Sequence, residues 1–269
     1  MTIKSSGNPL AFSEIETEFG ANGTRSLGSY RITQSVGTLS NLPLDTGIPS
    51  SGQIKFSDFY GKQLNIVVDC HSGGREDRIT AKNDKWNNNN LTVIGGFRSK
   101  KEGGSKIYIN VNKKFCSDKN NVNNCALKTG SWDSTATVQV DLGSNAKVFG
   151  AGGDGGNGAN GINNSGSPGG SGTSGLGIDS NNVTVNVASG AIIRAGFGGG
   201  GGNNANQAYG ASGGSGANLG GNAGGGGNSQ TGGGSAGGNG AAIRRNSGFT
   251  VNINNSGTIT GDTSATGVG

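Results

Sequence analysis

The chain has 269 residues, of which 30% are apolar and 14% are charged, with 57 glycines and a formal net charge of +5. So few apolar residues argue against a conventional single core, because globular domains are typically about 45–50% apolar. No segment approaches the run of about 18 apolar residues that a membrane span needs, and the first residues lack the apolar region of a signal peptide. We therefore expect a soluble protein made in the cytoplasm.

Composition changes near residue 141. Residues 1–140 hold 15 glycines, with 17 basic and 12 acidic residues, whereas residues 141–269 hold 42 glycines and four residues of each charge. The neutral second half is not expected to bind nucleic acid, which depends on cationic contacts to phosphate. Lysines and arginines of the first half lie beside aromatic residues, but a solvated β face explains them better than a nucleic-acid site.

The first predicted element is a short helix at residues 13–19. Ser13 and Glu16 have the spacing of a capping box, and Gly20 follows as a stop. The alternation in GQIKFSDFYG (52–61) predicts a strand or hairpin edge. Residues 1–61 form a predicted N-terminal module that has too few apolar groups to fold alone, so we expect it to dock on another protein. Its candidate attachment residues are Phe12, Ile15, Phe19, Phe56, Phe59 and Tyr60.

Residues 62–140 predict an antiparallel β domain. Short β-branched runs alternate with clusters of Gly, Asn and Ser: LNIVVDC, RITAK, LTVIGGF, KIYINVNKKF and ATVQVDL. The fold class predicted for the whole chain is therefore mainly β with little helix. Three domains are expected, at residues 1–61, 62–140 and 141–269.

The three cysteines leave two interpretations open. Cys116 and Cys125 could close a disulfide loop with Cys70 left free, but structural thiols are favoured for a protein made in the cytoplasm. His71 is the only histidine, and the cysteine spacing fits no zinc template. We predict neither a metal site nor a cofactor.

An internal repeat begins at residue 136. Three segments share one plan of alternating strand, turn, second apolar run and glycine: ATVQVDLGSNAKVFGAGG (136–153), VTVNVASGAIIRAGFGGG (183–200) and FTVNINNSGTITGDTSATG (249–267). The chain is therefore expected to return to one structural unit three times.

Glycine recurs every third residue between these repeats. The files run through 152, 155, 158 and 161; 166, 169, 172 and 175; 210, 213 and 216; 221, 224 and 227; and 234, 237 and 240. Period three is typical of polyproline II geometry, and glycine lets such backbones approach one another closely. Packed polyglycine II helices are therefore the favoured interpretation, with a flexible Gly/Ser linker as the main rival. Collagen does not fit, because the register breaks and there are only four prolines.

The blocks GAGGDGGNG and AGFGGGGGNN, separated by polar segments, resemble the Gly-rich distal adhesins of T-even-like bacteriophages. The N-terminal LAFSEIETEFG and IPSSGQIKFSDFYGK are similar to a short module that opens many tail and fibre proteins of tailed phages. The first resemblance implies a sandwich of polyglycine II helices whose connecting loops contact the host surface. The second implies attachment of the N-terminus to other tail or fibre proteins.

The function implied is a virion tail-fibre or tail-tip adhesin that binds a bacterial glycan or outer-membrane protein, with a homotrimer as one expected assembly. A structural fibre or baseplate connector is the alternative, and an ice-binding protein is a more distant one. No nucleophile motif, phosphate loop or carboxylate pair suggests an enzyme. The candidate receptor-binding residues lie in the non-glycine breaks: Asn206, Gln207, Tyr209, Asn228, Gln230, Arg244, Arg245 and Phe249.

Overall fold

The computed structural model describes residues 3–20, 26–31, 34–36, 39–42, 48–70, 79–80, 91–94, 103–117, 122–157, 166–199 and 234–268. The fold of these residues is mainly β, as predicted, with one α-helix, α1 (Phe12–Phe19), and two 3₁₀ helices at Leu27–Tyr30 and Phe56–Phe59. No helix in these ranges has the length and hydropathy of a membrane span.

Three sheets build the body of the molecule, and a separate two-stranded sheet pairs β1 (Gln34–Val36) with β2 (Leu39–Leu42). The six-stranded sheet contains, in spatial order, β15 (Val251–Asn255), β12 (Val183–Val187), β9 (Thr137–Leu142), β6 (Lys106–Val111), β3 (Asn65–Cys70) and β5 (Leu91–Ile94). The five-stranded sheet contains β17 (Ala265–Thr266), β14 (Ile243–Arg245), β11 (Ser174–Ile178), β8 (Cys125–Lys128) and β4 (Ile79–Thr80). The four-stranded sheet contains β16 (Thr258–Thr260), β13 (Ile192–Arg194), β10 (Lys147–Phe149) and β7 (Lys114–Cys116).

The prediction of an antiparallel β domain at residues 62–140 was wrong. Strands β3, β6, β9, β12 and β15 pair in parallel, and within the six-stranded sheet only β5 runs antiparallel to its neighbour. From β6 onward the chain visits the six-, four- and five-stranded sheets in turn and then begins again. Each sheet therefore receives its next strand one coil later in the same direction, which makes a β-solenoid rather than a set of hairpins.

The predicted repeat corresponds to successive coils of this solenoid. Val183 pairs with Val138 on one side and with Val251 on the other, so the three repeated segments lie side by side, with the middle one shifted by two residues from the alignment of their first residues. Sequence reasoning missed an earlier copy, because Ile107 pairs with Val138 and Lys114 pairs with Lys147. The predicted boundary between residues 140 and 141 falls inside β9, and the sheets continue across it.

The core is a single column of apolar side chains inside the coils. In β12, Val183, Val185 and Val187 are buried, whereas Thr184 and Asn186 are half-buried on the other face. The column continues through the other coils and into the N-terminal module as one cluster that includes Ile15. A low apolar fraction thus still supplies one continuous core, contrary to expectation, because each strand needs only alternate apolar residues.

The N-terminal module packs against the start of the solenoid. Helix α1 begins one residue before the predicted start, with Ala11 rather than Ser13 as its N-cap, and the Glu14 carboxylate accepts a 2.8 Å hydrogen bond from the Ala11 N–H. The helix ends at Gly20 as predicted, and the Gly20 N–H donates to the Glu16 carbonyl at 2.8 Å. Residues Phe56–Phe59 form a 3₁₀ helix rather than the predicted strand, because the Lys55 N–H donates to the Asp58 carboxylate at 2.7 Å.

Candidate functional site

Two glycine-rich connections leave the solenoid at the same corner of successive coils. The first joins β10 to β11 and the second joins β13 to β14. Their described parts are glycine segment 1 (150–157), glycine segment 2 (166–173), glycine segment 3 (195–199) and glycine segment 4 (234–242). Segments 1 and 3 lead away from the four-stranded sheet, and segments 2 and 4 return to the five-stranded sheet.

Backbone hydrogen bonds join the four glycine segments at intervals of three residues. The bonds between segments 1 and 2 are Ser167 N–H to Asn157 O, Gly170 N–H to Asp154 O and Thr173 N–H to Ala151 O, at 2.6–2.9 Å. Segment 2 donates to segment 4 through Gly169 and Gly172, and segment 3 donates to segment 2 through Gly196 and Gly199. Within each pair of segments the bonds recur at every third residue, but segment 1 donates from Gly150 and Gly153 rather than from the predicted file that starts at Gly152.

The bonding pattern fixes the directions of the glycine segments. Segment 1 runs parallel to segment 3, because Gly150 and Gly153 donate to the carbonyls of Arg194 and Phe197. Segment 2 runs antiparallel to segments 1 and 3, because residue numbers increase along segment 2 while the numbers of the residues bonded to it decrease. The described ends at residues 157, 166, 199 and 234 therefore lie together, at the end of the bundle away from the sheets.

Glycine is required where the segments touch. A Cβ atom at Gly153 would lie 1.9 Å from the Gly170 carbonyl oxygen, and one at Gly240 would lie 1.8 Å from the Thr173 carbonyl oxygen. Both obstacles are backbone atoms, which cannot rotate away as a side chain would. The close approach of whole backbones thus holds this bundle together in place of apolar side chains.

Five of the candidate receptor-binding residues lie outside the described residues: Asn206, Gln207, Tyr209, Asn228 and Gln230. The structure places the other three, Arg244, Arg245 and Phe249, away from the described distal ends of the glycine segments.

Arg244 is not the predicted loop residue. It lies on β14 and is only 8% exposed. Its Nε donates to Ser174 Oγ at 3.0 Å and its Nη1 donates to the Thr266 carbonyl at 2.5 Å, so it links adjacent strands of the five-stranded sheet. Arg245 on the same strand and Phe249 after it are half-buried.

Three of the six candidate attachment residues are core residues of the N-terminal module, and Phe12 and Tyr60 are half-buried. Ile15, Phe19 and Phe59 are fully buried, and the Phe19 and Phe59 rings meet edge to face with centroids 6.0 Å apart. The Tyr60 hydroxyl donates to the Asn8 carbonyl. Among the described residues, Phe56 is the large apolar side chain left exposed, at 41%, and its ring packs on that of Phe12.

A groove of about 380 Å³ lies on the outward face of the six-stranded sheet. Sequence reasoning missed it because its residues come from four separate strands. It is lined by Lys106, Ile107, Tyr108, Thr137, Val138, Gln139, Asn182, Thr184 and Asn252. Aligning the repeats would have found part of it, since Gln139, Thr184 and Asn252 occupy the same repeat position.

An amide ladder runs beside the groove on the same face. Asn254 Nδ2 donates to Asn186 Oδ1 at 2.8 Å, and Asn186 Nδ2 donates to the Asp141 carboxylate at 2.7 Å. Gln139 Nε2 donates to both oxygens of the same carboxylate, at 3.0 and 2.9 Å. Asp141 is 8% exposed, so these amide donors replace the water that its charge would otherwise require.

The three cysteines are buried thiols, and the disulfide considered between Cys116 and Cys125 is not formed. Cys116 lies on β7 and Cys125 on β8, in two different sheets. Burial raises the pKa of the Cys125 thiol to about 12 and raises the pKa of Cys70 further. Buried neutral thiols of this kind are packing groups rather than nucleophiles or metal ligands. Within the described ranges, no three His, Cys, Asp or Glu side chains cluster in a way that could hold a metal ion.

Comparison with known proteins identifies no relative. The chain matches no family model, and neither a curated protein nor a solved structure is significantly similar to it.

Proposed function

We propose that this protein is a tail-fibre or tail-tip adhesin of a tailed phage, and that it binds the host surface through the connections carried by its glycine segments. The observation that carries the proposal is the meeting of the four segment ends at one end of the bundle. A glycine-rich half that served only as a spacer would need no more than a single rod. Two out-and-back pairs that bring their connections together serve to present those connections.

The proposal includes packed polyglycine II helices as the form of the four glycine segments. Hydrogen bonds at every third residue, made to neighbouring segments rather than within one, support this geometry. At about 3.1 Å per residue, the eight residues of segment 1 would extend about 25 Å. The distal ends of the segments would then stand well clear of the solenoid surface.

Rigid supports favour recognition because they lower the ordering cost of binding. Each glycine segment is held by backbone bonds on at least two sides, so residues 158–165 and 200–233 start and end at fixed points. A connection with fixed ends loses less conformational entropy when it meets a receptor. The second connection contains Tyr209, which can stack on a sugar, and Gln207, which can donate and accept hydrogen bonds.

The N-terminal module would attach the adhesin to the virion. Because Ile15, Phe19 and Phe59 are in the core, the attachment surface would include the exposed Phe56 and the half-buried Phe12 beside it. An aromatic pair of this kind, with one exposed ring and one half-buried ring, is suited to anchor a protein interface.

The test is binding of the labelled full-length protein to a panel of Gram-negative and Gram-positive cells. We expect saturable binding to at least one strain, and at least a tenfold weaker affinity for the triple variant Asn206→Ala, Gln207→Ala and Tyr209→Ala. The matched control is Ser247→Ala with Thr250→Ala, two exposed residues between β14 and β15. A triple variant that binds like the wild type would refute the assignment to the connections, and a wild type that binds no strain would favour the connector.

A further inference from the structure

The groove on the six-stranded sheet has a regular row of side chains at its centre. Tyr108, Gln139, Thr184 and Asn252 occupy the same register position on four adjacent parallel strands. Adjacent strands lie about 4.8 Å apart, so the row is about 14 Å long across the strands. The spacing of about 4.8 Å between neighbouring side chains of the row is close to the advance of one pyranose unit along an extended glycan.

The chemistry of the row suits sugar rings. Tyr108 supplies an aromatic face for the apolar side of a pyranose, and it is half-buried at one end of the row. Gln139 and Asn252 supply amide groups and Thr184 supplies a hydroxyl, each of which can both donate and accept hydrogen bonds. Sugar hydroxyls have the same dual capacity, so they can be matched by such a row.

Two of the amide groups of the groove, those of Gln139 and Asn182, are held in place by hydrogen bonds. Gln139 Nε2 donates to both carboxylate oxygens of Asp141. The Oε1 atom of Gln139 therefore points away from that carboxylate. Asn182, at the turn before β12, has a φ of 54° and donates from Nδ2 to the Ser134 carbonyl at 3.2 Å. Side chains fixed in this way lose little rotamer freedom when they bind a ligand.

The charge of the groove excludes other ligand classes. Among the described residues that line it, Lys106 is the one cation and no carboxylate is present. A single cation is too few for a polyanion, whose binding grows with the number of neutralised charges. The outward side chains are polar, so an apolar ligand does not fit either.

We propose that this groove binds an uncharged oligosaccharide laid across strands β6, β9, β12 and β15. The site lies on the solenoid and uses no residue of the glycine segments or their connections. This site therefore goes beyond the adhesin function proposed above, because it adds a second contact at which the solenoid holds a neutral glycan.

The test measures binding of neutral hexasaccharides with α- and β-linked glucose, mannose and xylose backbones to the full-length protein by isothermal titration. We expect at least one to bind with a Kd of 1 mM or tighter, on the order typical of weak sites. Tyr108→Ala should weaken binding at least tenfold, whereas Tyr108→Phe, which keeps the aromatic face, should stay within threefold of the wild type.

A second variant guards against misfolding. Asn252 is exposed, so Asn252→Lys should fold normally and block the row, while Ser247→Lys adds the same charge at an exposed turn outside the groove. Loss of binding in the first and retention in the second supports the proposal. Absence of binding by all of the hexasaccharides, or equal binding by both lysine variants, overturns it.

The two proposals can fail separately. The triple variant at Asn206, Gln207 and Tyr209 should keep its hexasaccharide affinity, because none of these residues lines the groove. Loss of hexasaccharide binding in that variant would place the sugar site in the connections instead and would refute the groove as the site.

Discussion

Gly237 and Gly238 are adjacent in glycine segment 4, and we expect opposite results when each is replaced by alanine. A Cβ at residue 237 would lie 1.9 Å from the carbonyl oxygen of Gly170 and 2.4 Å from its carbonyl carbon. A Cβ at residue 238 would lie 3.7 Å from Ser171 Oγ and 3.8 Å from Val122 Cγ1, which are ordinary contacts. The two variants differ by one position and in no other chemical respect.

The expected magnitudes follow from these contacts. In Gly237→Ala the segment must move away from segment 2, which adds strain of about 1–3 kcal/mol. It also weakens two hydrogen bonds to segment 3, one from the Gly237 N–H to the Gly199 carbonyl and one from the Gly240 N–H to the Gly196 carbonyl, each worth about 1 kcal/mol. The segment should therefore lose about 3–5 kcal/mol if both bonds are lost. Gly238→Ala creates no close contact and should stabilise it by about 0.4–1 kcal/mol, because alanine restricts the unfolded chain.

Amide hydrogen exchange measures this loss directly, since the segment could open without unfolding the solenoid. The amides of Gly199, Gly237 and Gly240 should exchange at least a hundredfold faster in Gly237→Ala and no faster in Gly238→Ala. Denaturant unfolding followed by circular dichroism serves as the control for global stability. Equal protection of these amides in the two variants would refute the close backbone packing and with it the reason for glycine.

Three further predictions concern buried groups. The raised thiol pKa values keep Cys70 and Cys125 neutral in the folded state, so the free energy of unfolding should be unaffected by these thiols below the unfolded thiol pKa of about 8.5. Above that pH it should fall by up to about 1.4 kcal/mol per pH unit for each thiol. Unfolding at pH 7.5 and 9.5 checks this, and Cys125→Ala should reduce the fall in the free energy of unfolding per pH unit. Arg244→Ala should cost about 1–3 kcal/mol in the free energy of unfolding, and Arg245→Ala less than about 0.5. An Arg244→Ala protein that is fully stable but binds cells more weakly would contradict the structural role given to Arg244. Glu18→Ala should cost about 1–3 kcal/mol because it leaves the buried Leu64 N–H without the 2.9 Å bond to Glu18 Oε1; Glu18→Gln keeps an acceptor and should cost clearly less in the same measurement.

The coil repeat could be predicted from sequence, but the direction of its strands could not. An alternating run such as VTVNV looks the same whether its neighbour is parallel or antiparallel, because alternation reports only which face is buried. The informative signal was the equal spacing of two apolar runs in each repeat. Val138 and Val148 are matched by Val183 and Ile193, and two runs repeated in this way require two sheets that are visited in turn.

The site was only partly accessible to sequence reasoning. Period three among the glycines matches the three-residue interval of the bonds between segments, but it did not identify the bonding residues of segment 1, which are Gly150 and Gly153 rather than the file from Gly152. Arg244 was assigned to a loop because the three-residue strand Ile243–Arg245 is too short to show a period. The groove was invisible because Tyr108 and Asn252 meet only through the stacking of four coils.

The corner at which the glycine segments leave tolerates very different lengths of chain. The same corner contains residues 117–124 in one coil, 150–173 in the next, 195–242 in the third and 261–264 in the last. The second of these excursions, with 24 residues, and the third, with 48, differ twofold in length. By loop-closure entropy alone, a doubling costs only about 0.6 kcal/mol. Because glycine segments 3 and 4 are bonded to segments 1 and 2, only the chain between residues 199 and 234 of the third excursion is free of this constraint on length. That connection could therefore be lengthened or shortened at a small entropic cost while the bundle and the coils beneath it stay as they are.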